Sequence, residues 1–464
     1  MGKTMTTDTL PQKIRAPRWR VASSALLILI GVGFVLVALL ADRFGYGDDT
    51  GFGVGQLLLG LLGIALLLVG YYGRNFLSIY RGAALVFVNT LFLLGFVELG
   101  AIAVSRTFQQ AKLSGFQDLP YYAAQDWTKA YWGEEKSARG YRYKSYVVWG
   151  HLPFTGRMLN INREGFRKTP GADESSASAY RVFAFGGSTM LGWGSPDWGT
   201  IPAYLQSGLG ATMKRPVCVI NLSQDGFTST QSLVALLLQL QSGNIPDAVI
   251  FYDGVNDVIA ARESGRPSVH VTLAKIAAKF EEREHPLLTF YKKSRQYALV
   301  HNLVNKLKGG SLDPNHESVD DEGKTISTRD VAHSVASVYL ANYEIVGALA
   351  KKYNFKSFFF LQPHLAVCKK PLTQEERNMR SAIDPALSAL ATATYGEIAS
   401  AVPESAHIWS IADIFDTEES QIWFDDVGHV TPEGNRLVAQ KMLALITESS
   451  AWSSAKGERE IGRP

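Results

Sequence analysis

Cysteine is almost absent: the 464 residues carry two, Cys218 and Cys368. Two distant cysteines make neither a disulfide framework nor a zinc-ligand set. Cys218 lies in the apolar run Val217–Ile220, which predicts a buried free thiol; a Cys218–Cys368 disulfide is permitted outside the cytoplasm without being indicated. An excess of charge is also lacking, since 46 Lys and Arg against 43 Asp and Glu leave a net +3. With no basic stripe, nothing argues for a nucleic-acid partner. Phosphate-binding glycine loops are missing too. No lysine follows Gly186-Gly187, which excludes a P-loop, and no G-x-G-x-x-G opens a helix. The α/β-hydrolase nucleophile elbow needs glycine two residues after its serine, where this chain has Met190.

What is present begins with three apolar stretches, Val21–Ala41, Val54–Tyr72 and Gly82–Val104. Each is near the roughly 20 residues that a helix needs to cross a bilayer. The first follows a basic tail with Lys13, Arg15, Arg18 and Arg20. It is too long for a signal-peptide core and no small-x-small cleavage site follows, so an uncleaved anchor is expected. The first loop is acidic and the second carries Arg74 and Arg81, so positive-inside bias puts the N-terminus in the cytoplasm. After three spans, everything beyond Ser105 would face the periplasm or cell exterior of a bacterial inner membrane. Asn89 and Glu98 weaken the third span; Glu98 lies toward its outer end, within reach of the interface.

The chain therefore divides into a cytoplasmic tail (1–20), a membrane domain (21–104), a connector (105–180), a catalytic domain (181–449) and a flexible tail (450–464). The connector is rich in aromatics, among them Tyr122, Trp127, Tyr131, Trp132, Tyr141 and Trp149, which suit an interfacial belt or packing on the domain. Residues Tyr146–Arg167 suggest a small hairpin, and Thr169–Ala179 a linker.

Past the linker, strands and helices alternate. Strands are expected at Val182–Phe185, Val217–Leu222, Ala248–Tyr252, Ser357–Leu361 and His407–Ile411. Helices are expected at Ile201–Met213, Thr228–Gln241, Asp330–Tyr353, Gln374–Ser400 and Pro432–Ile446. Continuous apolar strands separated by helices imply a five-stranded parallel sheet covered on both faces, a three-layer αβα, flavodoxin-like domain. An insertion at 258–329 interrupts it, with helical patterns at Val271–Glu284 and Leu287–Lys308. A lid over the site and a decorative hairpin are both compatible with it.

The strand ends carry the chemistry. Gly186-Gly187-Ser188 follows the first strand; alone it is equally compatible with a serine N-cap. Asn221–Gly226 follows the second, Gly254-Val-Asn256-Asp257 the third and Asp426-Val-Gly-His429 the fifth. In a parallel sheet these loops share the carboxyl edge, where ligands bind. A serine hydroxyl needs a base to take its proton. His429 is suited to be that base, and Asp426 to fix its tautomer. The N–H groups of Ser188 and Gly226 and the amide of Asn256 suit a developing oxyanion. Asp425 is an alternative orienting acid, but the i to i+3 spacing favours Asp426. His364, after the fourth strand, reads as a packed loop residue or pocket lining.

These four blocks resemble the SGNH hydrolases, or GDSL-like lipases and esterases, over about Arg181–Ser449. The resemblance implies Ser188 as nucleophile, Gly226 and Asn256 in the oxyanion hole, His429 as base and Asp426 as its orienting acid. No metal or cofactor is implied. One departure is Gly187, where the G-D-S block has aspartate. The function so expected is a membrane-anchored serine esterase acting on an ester-bearing envelope glycan or lipid. The same triad would serve an O-acyltransferase, which with only three spans implies a membrane protein partner. An inactive envelope scaffold or glycan-binding module is a third reading, disfavoured by the intact Ser-Asp-His set.

Overall fold

The computed structural model describes residues 18–40, 54–72, 77–138, 140–213, 215–281, 297, 318–319, 325–402 and 407–449. The chain divides into two compact units, Met1–Ala103 and Val104–Pro464.

The first unit holds helices α1 (Arg18–Leu40) and α2 (Val54–Tyr72) and most of the apolar part of α3 (Leu77–Gln117). Gly31 and Gly63 sit at the crossing of α1 and α2: a Cβ on Gly31 would lie 2.8 Å from the carbonyl of Gly63. Small residues at such a crossing let helix backbones approach closely. Leu29, Leu58, Leu85, Phe92 and Phe96 are all exposed, although apolar side chains of this size are normally withdrawn from water. Among the described residues one segment, Ala83–Ala101, has the length and apolarity to cross a bilayer, with mean hydropathy 2.0. Shorter apolar segments, Ala25–Leu39 and Gln56–Tyr72, lie within α1 and α2, so one candidate span is shown and not three.

The second unit begins with the end of α3, α4 (Pro120–Ala123) and α5 (Thr128–Ala138). Two antiparallel pairs follow: β1 (Tyr141–Lys144) with β2 (Val148–His151), and β3 (Phe154–Thr155) with β4 (Asn160–Ile161). The connector's aromatics pack on the domain: Tyr122, Tyr131 and Trp132 are buried in one cluster with Phe424.

The central sheet contains β5 (Tyr180–Gly186), β6 (Val217–Asn221), β7 (Ala248–Asp253), β10 (Lys356–Leu361) and β11 (Ile408–Ser410). Its order is β11-β10-β7-β5-β6, and all its pairings are parallel. Numbered by sequence this is 2-1-3-4-5, the flavodoxin-like order expected for the domain, with its switch point at β5. A short antiparallel pair, β8 (Ser318–Val319) and β9 (Thr325–Ile326), lies in the insertion.

Alternation along each strand sends successive side chains to opposite faces. Val182, Ala184, Ile250 and Phe360 pack with Leu205, Leu209, Val438 and Met442, which belong to α7 (Ile201–Thr212) and α14 (Pro432–Glu448). On the other face Phe183, Phe185, Phe251 and Phe359 meet Leu236, Val258, Tyr339 and Leu390. These come from α8 (Ser229–Gln241), α9 (Val255–Ser264), α11 (Thr328–Tyr353) and α13 (Pro385–Ala401). The Phe185–Phe251 and Phe251–Phe359 rings stack with centroids 5.0 and 4.5 Å apart. Both faces are thus closed by helices, which is why the strands read as unbroken apolar runs.

One expectation needs correction. The single helix Gln374–Ser400 is two, α12 (Gln374–Ala382) and α13, because Asp384 caps a new helix with Pro385 in its first turn. In the insertion, helix α10 (Leu273–Glu281) falls within the first helical pattern, while Leu287–Lys308, Tyr297 apart, lies outside the described residues. Both cysteines are buried free thiols.

Candidate active site

β5 ends at Gly186, and Gly187 caps the short helix α6 (Ser188–Leu191). The first N–H groups of a helix have no intrahelical acceptor, so the Ser188 N–H is left for a ligand. A Cβ on Gly187 would stand 2.3 Å from Asn256 Nδ2 and 3.3 Å from the carbonyl of Phe227. The glycine therefore lets the Asn256 amide lie against the nucleophile's turn. A side chain there would have to displace the Asn256 amide.

His429 approaches from the loop before α14. Thr431 caps that helix by accepting the Gly434 N–H, with Pro432 in its first turn. Ser188 Oγ is 2.6 Å from His429 Nε2. On the other side of the ring, His429 Nδ1 is 2.6 Å from Asp425 Oδ2. The acid paired with His429 is thus Asp425, four residues upstream, and not Asp426. The reason lies in the loop. Trp423 and Val430 form an antiparallel bridge that closes it, and Gly428 turns its tip at φ 113°, a conformation that favours glycine. The loop folds round the Asp425 carboxylate, whose Oδ1 accepts the N–H groups of Val427, Gly428 and His429 at 3.2, 3.0 and 3.0 Å. Asp426 is left exposed at the tip.

Burial pushes Asp425 upward, but the attraction of His429, their hydrogen bond and the loop N–H groups outweigh it and hold the carboxyl below the ordinary range. Burial lowers His429, yet Asp425, by charge and by hydrogen bond, raises it above the ordinary imidazole value, with smaller help from Asp225 and Asp426. The ring is also boxed in, with the centroids of Trp193 and Phe424 at 4.5 and 5.8 Å.

Ser188, Gly226, Asn256 and His429 line one cavity of about 920 Å³. Asn256 Nδ2 donates to the Phe227 carbonyl at 2.9 Å, so one of its two amide hydrogens is engaged there and the other is left over. The Gly226 N–H has no acceptor among the described residues. Asp257, beside Asn256, is structural, since its carboxylate accepts the Ser229 N–H and hydroxyl at the start of α8. Asp426 is in the lining but makes no hydrogen bond to His429. His364 is outside the lining, 1% exposed, with its value pushed down to about 4 by burial; it is a packed loop residue.

Three contributors were missed in the sequence. Gln362, at the end of β10, accepts the Val255 N–H at 3.2 Å and donates to the Thr189 hydroxyl, tying the nucleophile's helix to the start of α9. Polar character right after a core strand was its signal. Arg167 is buried and reaches four acceptors: Asp197 at 2.9 Å and the carbonyls of Leu191, Gly192 and Ser195 at 3.3, 2.7 and 2.6 Å. It fixes the turn after α6 that carries Trp193, and nothing local marks it. Glu376 accepts the N–H groups of Ile422 and Trp423 at 2.8 and 3.0 Å and pairs with Lys370 at 2.8 Å, anchoring the segment that leads to Asp425.

No family model and no curated protein matches the chain. Among solved structures it is similar to a lipase from a goat rumen metagenome, at 12% identity and TM-score 0.33, over 57% of this chain and 97% of that one. It is also similar to an acetyl xylan esterase, at 15% identity and TM-score 0.31, over 57% and 99%. A third is a lipolytic protein of the G-D-S-L family from Veillonella parvula, at 14% identity and TM-score 0.29, over 58% and 98%. Likeness at this level does not establish a family.

Proposed function

We propose that the chain is a serine esterase of the SGNH type that works through an acyl-enzyme. The observation that carries this reading is the continuous line from Ser188 Oγ to His429 Nε2 and from His429 Nδ1 to Asp425 Oδ2, each step 2.6 Å, in the lining of a cavity. His429 takes the Ser188 proton as Oγ attacks the ester carbonyl, and Asp425 steadies the imidazolium that forms. The N–H groups of Ser188 and Gly226 and the Asn256 amide stabilise the oxyanion; each such donor is worth about 10²–10³ in kcat. The tetrahedral intermediate collapses as the imidazolium gives its proton to the leaving alkoxide. A water, deprotonated by the same ring, then releases the acid.

The substrate side is a cell-envelope glycan or lipid ester. Support comes from the first unit, whose apolar helices are exposed over long stretches, as expected of a membrane anchor. In this reading the three helices span the bacterial inner membrane and the catalytic unit faces outward. The chemistry is tested with purified protein and a short-chain nitrophenyl ester. Ser188→Ala and His429→Ala are expected to lose turnover, and a Ser188→Ala variant as active as wild type refutes the mechanism. A reporter fused after Ser449 tests the topology; activity restricted to a cytoplasmic reporter overturns it.

A further inference from the structure

The loop that carries Gly226 is held from outside the catalytic domain. Its own bonds are few: Gln224 donates its N–H to the Gly186 carbonyl at 3.2 Å, and Phe227 to Gln224 at 3.3 Å. Asn256 adds its bond to the Phe227 carbonyl, and the connector supplies the others, chiefly from its β1–β2 hairpin. Trp149 Nε1 donates to the Asp225 carbonyl at 2.7 Å. The Tyr141 hydroxyl donates to Asp225 Oδ2 at 2.6 Å. The His151 N–H donates to Gln224 Oε1 at 3.0 Å, and Gln224 Nε2 donates in turn to the Gly165 carbonyl at 2.8 Å. The hairpin is itself secured on the helix that follows the loop, since Gln231 Nε2 donates to the Val147 carbonyl at 2.9 Å.

Every residue around Gly226 is thus pinned, while the Gly226 N–H has no acceptor among the described residues. Trp149 also packs on it: a Cβ on Gly226 would lie 3.4 Å from the indole. The turn of the hairpin is strained. Tyr146 and Val148 hold φ of 68° and 74°, and Val148 is β-branched, for which this region is a genuine outlier. Such strain persists only where the surroundings over-determine it, and it gathers at working sites. There is an electrostatic reason as well. A carboxylate one residue from an oxyanion donor opposes the charge that the donor must stabilise. Tyr141 and His151, whose Nε2 is 3.2 Å from Asp225 Oδ2, offset it.

We propose that the β1–β2 hairpin is a working part of the active site, with Tyr141, Trp149 and His151 as positioning residues that hold Gln224–Asp225 so that the Gly226 N–H meets the developing oxyanion. This rests on the serine esterase reading of the same site. Preorganised donors lose much of their value when displaced by about 1 Å, so the effect falls on the transition state and not on substrate binding.

The test uses the full-length protein with Trp149→Phe, which keeps the ring and removes the donor, and Tyr141→Phe. Tyr143→Phe, exposed on the same hairpin, is the control. Steady-state turnover of a nitrophenyl ester is read beside inhibition by a trifluoromethyl ketone. Ser188 Oγ adds to the ketone carbon, its proton passes to His429, and the carbonyl electron pair becomes an oxyanion in the hole. Trp149→Phe and Tyr141→Phe are expected to lower kcat about 10- to 100-fold with KM nearly unchanged, a fraction of the loss of a whole donor. They should weaken the ketone by the same factor; the control should do neither. Melting curves fix a temperature at which each variant is folded. Ser188-dependent turnover with unchanged kcat and ketone affinity in both variants overturns the inference and leaves the esterase reading standing. Wild-type protein without Ser188-dependent turnover overturns the reading beneath it. A rise in KM alone, or a fall in kcat without weaker ketone binding, also refutes the positioning role.

Discussion

The pairing of His429 with Asp425 and not Asp426 makes a sharp prediction. Replacing Asp425 by asparagine keeps the shape and removes the charge. The amide oxygen would stay on the three loop N–H groups now held by Oδ1, which turns the amide nitrogen toward His429 Nδ1. A donor facing Nδ1 forces the ring's proton onto Nε2, the nitrogen that must accept from Ser188. The lost attraction can be estimated. Charge centres about 4 Å apart, at an effective dielectric of about 20, attract by about 4 kcal/mol, roughly three powers of ten in rate. With the wrong tautomer added, kcat should fall about 10³- to 10⁴-fold. Asp426 is exposed at the loop tip, where water screens its effect on the ring; Asp426→Asn should change kcat by about threefold or less. The assay is ester turnover against pH. Activity needs neutral His429, which Asp425 raises above the ordinary value, so the wild-type acid limb should lie above about pH 6.5. In Asp425→Asn the residual activity should show that limb at lower pH. If Asp426→Asn is as damaging as Asp425→Asn, the assignment is wrong.

Three further outcomes follow from the same geometry. Gly187→Ala places a methyl 2.3 Å from Asn256 Nδ2 and should lower kcat about 10²-fold or more, as for a lost oxyanion donor, with little change in melting temperature; full activity would show that the amide is not in the hole. Arg167→Met breaks a buried ion pair with Asp197 and three carbonyl contacts and should cost about 3–5 kcal/mol in denaturant unfolding; a loss below about 1 kcal/mol contradicts that network. Burial first, then repulsion from Asp257, raises Asp253, so its proton favours the folded state at low pH and that contribution is lost as pH rises through the folded value. Asp253→Asn cannot ionise, so its melting temperature relative to wild type should climb as pH rises above the ordinary carboxyl range; a flat difference would refute the shift.

Much of this was legible in the chain. The core strands announce themselves because both faces of a parallel sheet are buried, and Ser188, Gly226, Asn256 and His429 are found because each follows such a strand and the carboxyl ends must share an edge. The break in the helix at Pro385 was equally visible, as Asp384-Pro385 is a cap followed by a first-turn proline. Other features were beyond sequence. Arg167 and Glu376 act through backbone carbonyls and N–H groups of segments that only folding brings near them.

The residue order alone thus determined the alternation of strands and helices, the parallel sheet, and the types of group that meet at its carboxyl edge, because hydrophobic period and strand-end chemistry are local properties. Tertiary structure decided which carboxylate serves His429 and what surrounds Gly226. In the Asp425–His429 loop the direction of each side chain depends on the φ of Gly428 and on the bridge between Trp423 and Val430, not on spacing. The hairpin bonded to Asp225 lies far from it in sequence, with Trp149 at a separation of 76 and Tyr141 at 84. No local pattern can specify a hydrogen bond over that interval, because it forms only after the sheet has placed the loop and the connector has packed beside it.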